Sequence, residues 1–293
     1  MMIKLDLYRI FHVVSKHHSF SRAAKELYMT QSAVSQAISK LENVIGIQLF
    51  HRTPKGVTLT DEGKMLNEYV GTALNLIDTA ESKLTDFKKL TSGQLRIGVG
   101  DTISRYFLLP YLEEFHSRHP GINLEVQNGT TLEIIDLIKA GKVDIGICNL
   151  PVAEDHLEVI PCKEIQDIFV CGEKYRKLTE KQVSFDDLLK LPLIFLEKKS
   201  NSRKYVENYL KEKGYTISPR FELGSYDLVL EFARINMGIS CIIKEFAKDY
   251  LEKGILFEIP LIEPIPKRYI GITYLKSVRL TTAAEKFVKL IVS

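Results

Sequence analysis

Residues 19–63 read SFSRAAKELYMTQSAVSQAISKLENVIGIQLFHRTPKGVTLTDEG. The pattern is a short helix, a turn, a longer helix and a basic hairpin. In that order a chain lays one helix in the major groove of DNA and pins the flanking phosphates. Ser19 or Ser21 is placed to cap the short helix, and Ala23 and Ala24 are small enough for another helix to approach closely. Tyr28-Met29-Thr30 makes the turn. The longer helix begins near Gln31 or Ser32 and ends at Gly46, a good left-handed terminator. Ala33, Val34, Ala37, Ile38, Leu41 and Ile45 recur at helical spacing. The opposite face carries Ser32, Ser35, Gln36, Ser39 and Lys40 and is nearly free of acids. Residues 50–59 read as a hairpin turning at Pro54-Lys55-Gly56, a wing that carries Arg52 and Lys55 toward a phosphate backbone or minor groove.

Upstream, residues 5–17 predict a helix with Leu5, Leu7, Tyr8, Phe11 and Val14 on or near its buried face. Downstream, residues 61–90 predict a long helix. Its apolar residues Leu66, Val70, Ala73, Ile77, Ala80, Leu84 and Phe87 alternate in steps of four and three, a heptad seam. Such a seam seeks a helix from another chain; the competing reading is packing on its own domain. Thr91-Ser92-Gly93 is the expected hinge.

At 293 residues the chain is long enough for two or three units. Its hydrophobic share of 45% and charged share of 26% are ordinary for globular proteins. No apolar run approaches the ~20 residues of a membrane span, and residues 1–14 lack a signal-peptide core, so the expected place is the cytoplasm. The net charge of +3 hides an asymmetry. The first 60 residues hold eight Lys and Arg against three acids, and the remainder is slightly acidic. A local basic excess is what a phosphate backbone selects. The four cysteines, Cys148, Cys162, Cys171 and Cys241, form no CxxC pair, and no His lies at ligand spacing, so neither a metal nor a cofactor is expected. Three of them sit in apolar strand-like runs, which points to buried, inert thiols. A redox pair of Cys162 and Cys171 finds no electropositive surroundings to support it.

Beyond Gly93, strands alternate with helices. LRIGVG, INLEVQ, VDIGIC, DIFVC, LIFLE, GISCII and RYIGITYL are strands, interleaved with helices such as KYVENYLKEK and DLVLEFARI. That alternation predicts an α/β fold with largely parallel sheets, and its length suggests two subdomains around a cleft.

The chain resembles the LysR-type transcriptional regulators. The resemblance is dense over residues 11–63: Ser19-Phe20, Ala23-Ala24, Leu27, Gln31-Ser32-Ala33-Val34-Ser35, Ile38, Leu41-Glu42, Gly46, Leu49-Phe50, Arg52, Leu59-Thr60 and Gly63. Weaker likeness extends through the long helix, KVDIGI, SNSRKYVENYL and MGISCI. It implies an N-terminal all-α winged helix-turn-helix over residues 1–60 and a long linker and dimerisation helix over 61–92. It also implies a two-subdomain α/β effector domain over 93–293, similar to type 2 periplasmic binding proteins. Subdomain I is placed at about 93–161 and 268–293, and subdomain II at about 162–267. Double-stranded DNA, a small-molecule effector and further copies of the chain, as a dimer or tetramer, are the implied partners.

Within that frame Gln31, Ser32, Ser35 and Gln36 are placed to reach base edges. Ser21, Arg22, Ser39, Lys40, Arg52, Thr53 and Lys55 are placed to hold phosphates. Ligands of two-lobed α/β domains bind at the carboxyl ends of strands, beside helix N-termini. The expected effector contacts are therefore Thr102, Ser104, Asn128, Gly129, Thr130, Cys148, Ser202, Arg203 and Ser225, a set that suits a small anion. An enzyme is disfavoured, because no nucleophile elbow, phosphate loop or metal triad is present. The rival readings are a DNA-binding protein without ligand control and a cytosolic small-molecule binding protein.

Overall fold

A computed structural model describes residues 3–53, 56–86 and 93–292; the side chains of residues 52–53, 79 and 82–86 fall outside the description. The chain divides into two compact units, Met1–Lys88 with Lys139–Lys142, and Lys89–Ile138 with Val143–Ser293.

In the first unit, α1 (Leu5–His17) buries Ile10, Phe11 and Val14. Leu5, expected inside, is exposed, because the apolar stripe runs from Leu7 through Ile10 and Phe11 to Val14. Helix α2 (Phe20–Glu26) starts at Ser19, whose hydroxyl accepts from Arg22 N at 3.3 Å. Helix α3 (Gln31–Ile45) starts at Thr30, whose hydroxyl accepts from Ala33 N at 3.2 Å. It ends at Gly46 (φ +79°), the left-handed region that favours glycine. Val34, Ile38 and Leu41 of α3 meet Ala23 and Ala24 of α2 in one apolar cluster.

Strands β1 (Phe50–Thr53) and β2 (Gly56–Leu59) form the antiparallel wing. Glu42 Oε1 accepts from Leu49 N at 2.8 Å and Phe50 N at 3.2 Å, which fixes where the wing leaves α3. Val57 N donates to His18 O at 3.1 Å, tying the wing to the end of α1. A side chain at Gly56 would sit 2.5 Å from that same carbonyl, so only glycine fits. The expected turn residues Pro54 and Lys55 lie outside the described residues.

Helix α4 (Asp61–Asp86) is the long helix. Val70 and Leu74 are buried against α1, and Leu66 packs beside them. Part of the expected seam is thus used within the unit. Ala73 and Ala80 are exposed, as are Met65 and Tyr69, while Leu84 and Phe87 lie outside what is described. So do Thr91 and Ser92 of the expected hinge; Gly93 opens a strand.

The second unit holds two five-stranded sheets. Strands β3 (Gly93–Val99), β4 (Ile122–Asn128) and β5 (Ile145–Asn149) run parallel. Strand β12 (Arg268–Leu275) joins antiparallel to β5, and β6 (Leu157–Ile165) pairs antiparallel with β12 and so runs with the first three, in the order β4-β3-β5-β12-β6. The second sheet has the order β11-β7-β10-β8-β9. Its strands are β7 (Asp167–Cys171), β8 (Leu193–Leu196), β9 (Phe221–Leu223), β10 (Ile239–Ile243) and β11 (Phe257–Glu258). Here β8 is parallel to β9 and β10, and β7 is antiparallel to β10 and β11. The sheets are therefore mixed rather than largely parallel. The strands that carry the chain from one sheet to the other enter against the grain.

Strand β6 pairs with β12 as far as Ile165 opposite Arg268, and Gln166 links it to β7. Helices α5 (Asp101–Ile103), α6 (Leu109–Arg118), α7 (Thr131–Lys139) and α12 (Thr282–Val292) accompany the first sheet, with a π-turn over Ser104–Leu108 between α5 and α6. Helices α8 (Phe185–Leu188), α9 (Asn201–Glu212), α10 (Tyr226–Arg234) and α11 (Lys248–Glu252) accompany the second. Leu95, Ile97 and Phe287 on one side join Ile168, Val170 and Ile242 on the other in a single buried cluster.

Candidate DNA interface and effector cleft

On α3, Ser32, Ser35, Gln36, Ser39 and Lys40 border one shallow groove with Asn43 and Val44. The helical repeat puts these positions on the face opposite Val34, Ile38 and Leu41. No carboxylate lines this groove. Gln31 is exposed at the first turn of α3 and stands outside the groove, while Ser21 and Arg22 are exposed on α2. Among the described residues Arg22 and Lys40 have no ion-pair partner, whereas Lys16 and His17 are both engaged by Glu26. Arg52 and Thr53 stand on β1, their side chains undescribed, and Lys55 lies outside the described residues. Asn43 was missed in the sequence; three residues beyond Lys40, it falls on the same face.

The second unit has a cleft of about 420 Å³ at the ends of β3, β4, β5 and β8. Of the candidate effector residues, Thr102, Asn128, Gly129, Thr130 and Ser202 line it, joined by Asp101, Glu133, Asn149, Glu197, Lys199, Ser200 and Asn201. Four expected contacts are elsewhere. Cys148 is fully buried in the cluster of Ile134 and Ile138, because strand alternation turns it away while its neighbours Ile147 and Asn149 line the cleft. The Arg203 guanidinium is only 1% exposed and faces its own subdomain. It donates to Leu196 O at 2.9 Å and pairs with Glu207 and Glu222, each at 3.2 Å. Ser104 turns its hydroxyl into the protein within the π-turn. Ser225 precedes α10 and does not line the cleft.

Beneath the cleft lies a residue that sequence reasoning missed. Arg268, at the crossing into the first sheet, is 4% exposed. It donates to both carboxylate oxygens of Asp167 (2.5 and 2.9 Å), to Asn149 Oδ1 (2.8 Å) and to Ser202 Oγ (3.0 Å), and lies over the Tyr205 ring. It thus joins β5 and β12 of one subdomain to β7 and α9 of the other, and two of its partners line the cleft. A second bridge stands nearby. Arg105 Nη1 donates to Asp227 Oδ2 at 2.7 Å, and the Tyr106 hydroxyl donates to Oδ1. The Tyr106 ring stacks on Phe246 and meets Tyr226 edge-on. Burial, then the Asp227 carboxylate, push the Tyr106 phenol up, so it remains a donor.

Burial pushes the thiols up as well: Cys148 to about 12, Cys162 and Cys171 to about 11, and Cys241 well above its ordinary value. Among the described residues no group of His, Cys, Asp and Glu is arranged to hold a metal ion, and no helix is long and apolar enough to cross a membrane.

Comparison with known proteins agrees with this architecture. Residues 5–64 match the bacterial regulatory helix-turn-helix protein of the lysR family, and residues 88–293 match the LysR substrate binding domain. A RuBisCO operon transcriptional regulator of Allochromatium vinosum is 26% identical over 100% of this chain and 97% of its own length. A probable RuBisCO transcriptional regulator of Gracilaria tenuistipitata var. liui is 31% identical, covering 97% and 94%. The structure of a full-length OxyR variant from Pseudomonas aeruginosa shares the fold with a TM-score of 0.75, at 20% identity, over 99% of this chain and 95% of that one. Full-length CbnR in complex with target DNA superposes with a TM-score of 0.67 at 16% identity, over 99% of both chains. With its helix-turn-helix head and its larger C-terminal region both matched, the chain belongs to the LysR family of DNA-binding transcriptional regulators.

Proposed function

We propose that this regulator reads a specific DNA sequence with α3 and that a small effector carrying an anionic group, held in the cleft, sets how it does so. The exposed, acid-free Gln and Ser face of α3 is the observation that carries the reading. Gln31, Ser32, Ser35 and Gln36 meet base edges; Ser21, Arg22, Ser39, Lys40, Arg52, Thr53 and Lys55 hold phosphates. In the cleft Thr102, Asn128, Gly129, Thr130 and Ser202 contact the effector, whose anionic group sits at the N-terminus of α9 beside Lys199.

The protein works in the cytoplasm, as a dimer or a pair of dimers. The exposed row Met65, Tyr69, Ala73 and Ala80 on α4 supports pairing. Two heads then meet two half-sites about one helical turn, or multiples of it, apart. The effector shifts the population of subdomain arrangements, and with it the spacing of the heads.

Fluorescence anisotropy on DNA from upstream of its own gene, titrated with salt, tests the DNA assignment. Arg52→Ala weakens binding to every sequence and reduces the salt slope by about one. Gln36→Ala changes preference among sequences, by about 1–3 kcal/mol at the base pair it reads. Equal loss on all sequences for Gln36→Ala would remove it from the base readers.

A further inference from the structure

The cleft lining carries more acid than base. Asp101, Glu133 and Glu197 border it, against one cation, Lys199. Three arginines of the second unit are committed elsewhere: Arg268 to Asp167, Arg203 to Glu207 and Glu222, and Arg105 to Asp227. Lys199 itself pairs with Glu197 at 3.2 Å. Asp101 is held by Asn128 and Glu133 by Thr130, and among the described residues neither carboxylate has a cation within ion-pair distance. A ligand bearing only negative charge would face this wall unpaired.

The helix ends divide the cleft in the same sense. At α7 the chain fills its own N-terminus: Thr130 N donates to Glu133 Oε2 at 2.7 Å, while Glu133 N donates to Thr130 Oγ1 at 3.4 Å. This reciprocal cap sets a carboxylate at that helix end, which disfavours a ligand's anion there. At α9 the capping residue Ser200 makes no side-chain cap, and Lys199 precedes it. The cleft therefore has an anion-accepting wall at α9 and a cation-accepting wall at Asp101 and Glu133. The field of Lys199 reaches Glu133 and, after the bonds from Thr130, helps to hold its carboxyl below the usual range, so both walls act on one space.

We propose that the effector is a small zwitterion of the α-amino-acid class, with its carboxylate at the α9 N-terminus beside Lys199 and its ammonium between Asp101 and Glu133. This rests on the reading of the cleft as the effector site and narrows it. It also separates the ligand from simple hydroxy acids and dicarboxylates, which match only the α9 wall.

The test is calorimetric titration of the full-length protein with the proteinogenic amino acids and, in parallel, with 2-hydroxy acids and dicarboxylates of matched size. At least one amino acid is expected to bind, about tenfold or more tighter than its hydroxy-acid counterpart, the worth of one charge-assisted bond. Asp101→Asn should weaken that amino acid by a similar factor while leaving hydroxy acids unchanged or tighter. Lys199→Met should weaken both. Binding of a hydroxy acid or dicarboxylate as tight as any amino acid overturns the zwitterion and leaves the cleft as the effector site. Binding by neither panel also overturns it. A ligand indifferent to both Asp101→Asn and Lys199→Met would instead be held elsewhere, and the reading of the cleft itself would fall.

Discussion

Arg268 and Asp167 form a buried ion pair where the chain crosses between the two sheets of the second unit. Each side chain is 2% exposed, and each neutralises the other. A buried charge that loses its partner is expensive, while an apolar pair of similar volume is often tolerated. Arg268→Ala and Asp167→Ala should therefore each destabilise the domain by about 3–5 kcal/mol in urea denaturation. The double change Arg268→Met with Asp167→Leu should recover most of that. Single variants within about 1 kcal/mol of the parent would show the pair to be dispensable. The thiols make a second residue-scale case. With burial holding all of them above their usual range, little thiolate forms near neutral pH, and the thiolate is the reacting species. Ellman's reagent at pH 8 should react slowly with the folded protein and rapidly with all four thiols in urea. A fast-reacting native thiol would contradict the buried reading and reopen redox sensing.

At the scale of the element, α4 shows how one helix serves two purposes. Leu66, Val70 and Leu74 turn toward α1, while Met65, Tyr69, Ala73 and Ala80 stay exposed. Leu74→Ala should cost the first unit about 2–5 kcal/mol by leaving a cavity. Tyr69→Ala should stay within about 0.5 kcal/mol in monomer stability and weaken self-association instead. Denaturation combined with sedimentation velocity separates the two, and equal effects on both measurements would refute the division. The helices of the first unit were legible because 3.6-residue periodicity and caps such as Thr30 and Gly46 act locally. The seam on α4 was legible as apolar spacing, but spacing alone does not say which row meets α1. Strand β6 was not legible at all. Pro161 interrupts it, Lys163 and Glu164 are adjacent charges that break an alternating pattern, and it pairs on one side only, an edge position that tolerates both. In the cleft, the strand exits were readable from their small polar residues. Whether Cys148 or Asn149 faces the cleft depended on sheet register, and whether Arg203 points inward depended on Glu222, nineteen residues on in another element.

Across the second unit, two of the polar ties between the subdomains differ in kind. The Arg268 node lies at the strand crossing and is buried. The tie from Arg105 and Tyr106 to Asp227 joins the π-turn to α10, with Arg105 and Asp227 substantially exposed. It stands where a π-turn re-aims Tyr106 toward Phe246 and Tyr226. A tie of this second kind is weak enough to open and specific enough to hold one arrangement. Asp227→Ala removes both of its polar bonds but leaves the ring stack. It should raise amide hydrogen exchange over residues 101–112 and 225–234 about fivefold, corresponding to about 1 kcal/mol for a partly solvated hydrogen-bonded pair. Exchange at the Arg268 crossing should not change. If the tied arrangement is the one that accepts the effector, the same variant lowers apparent effector affinity by the same factor, because affinity scales with the competent fraction. Matching factors in exchange and affinity would identify the tie as part of the switch. Faster exchange with unchanged affinity would make it a structural contact alone, and unchanged exchange would show that the stacked rings hold the subdomains without it.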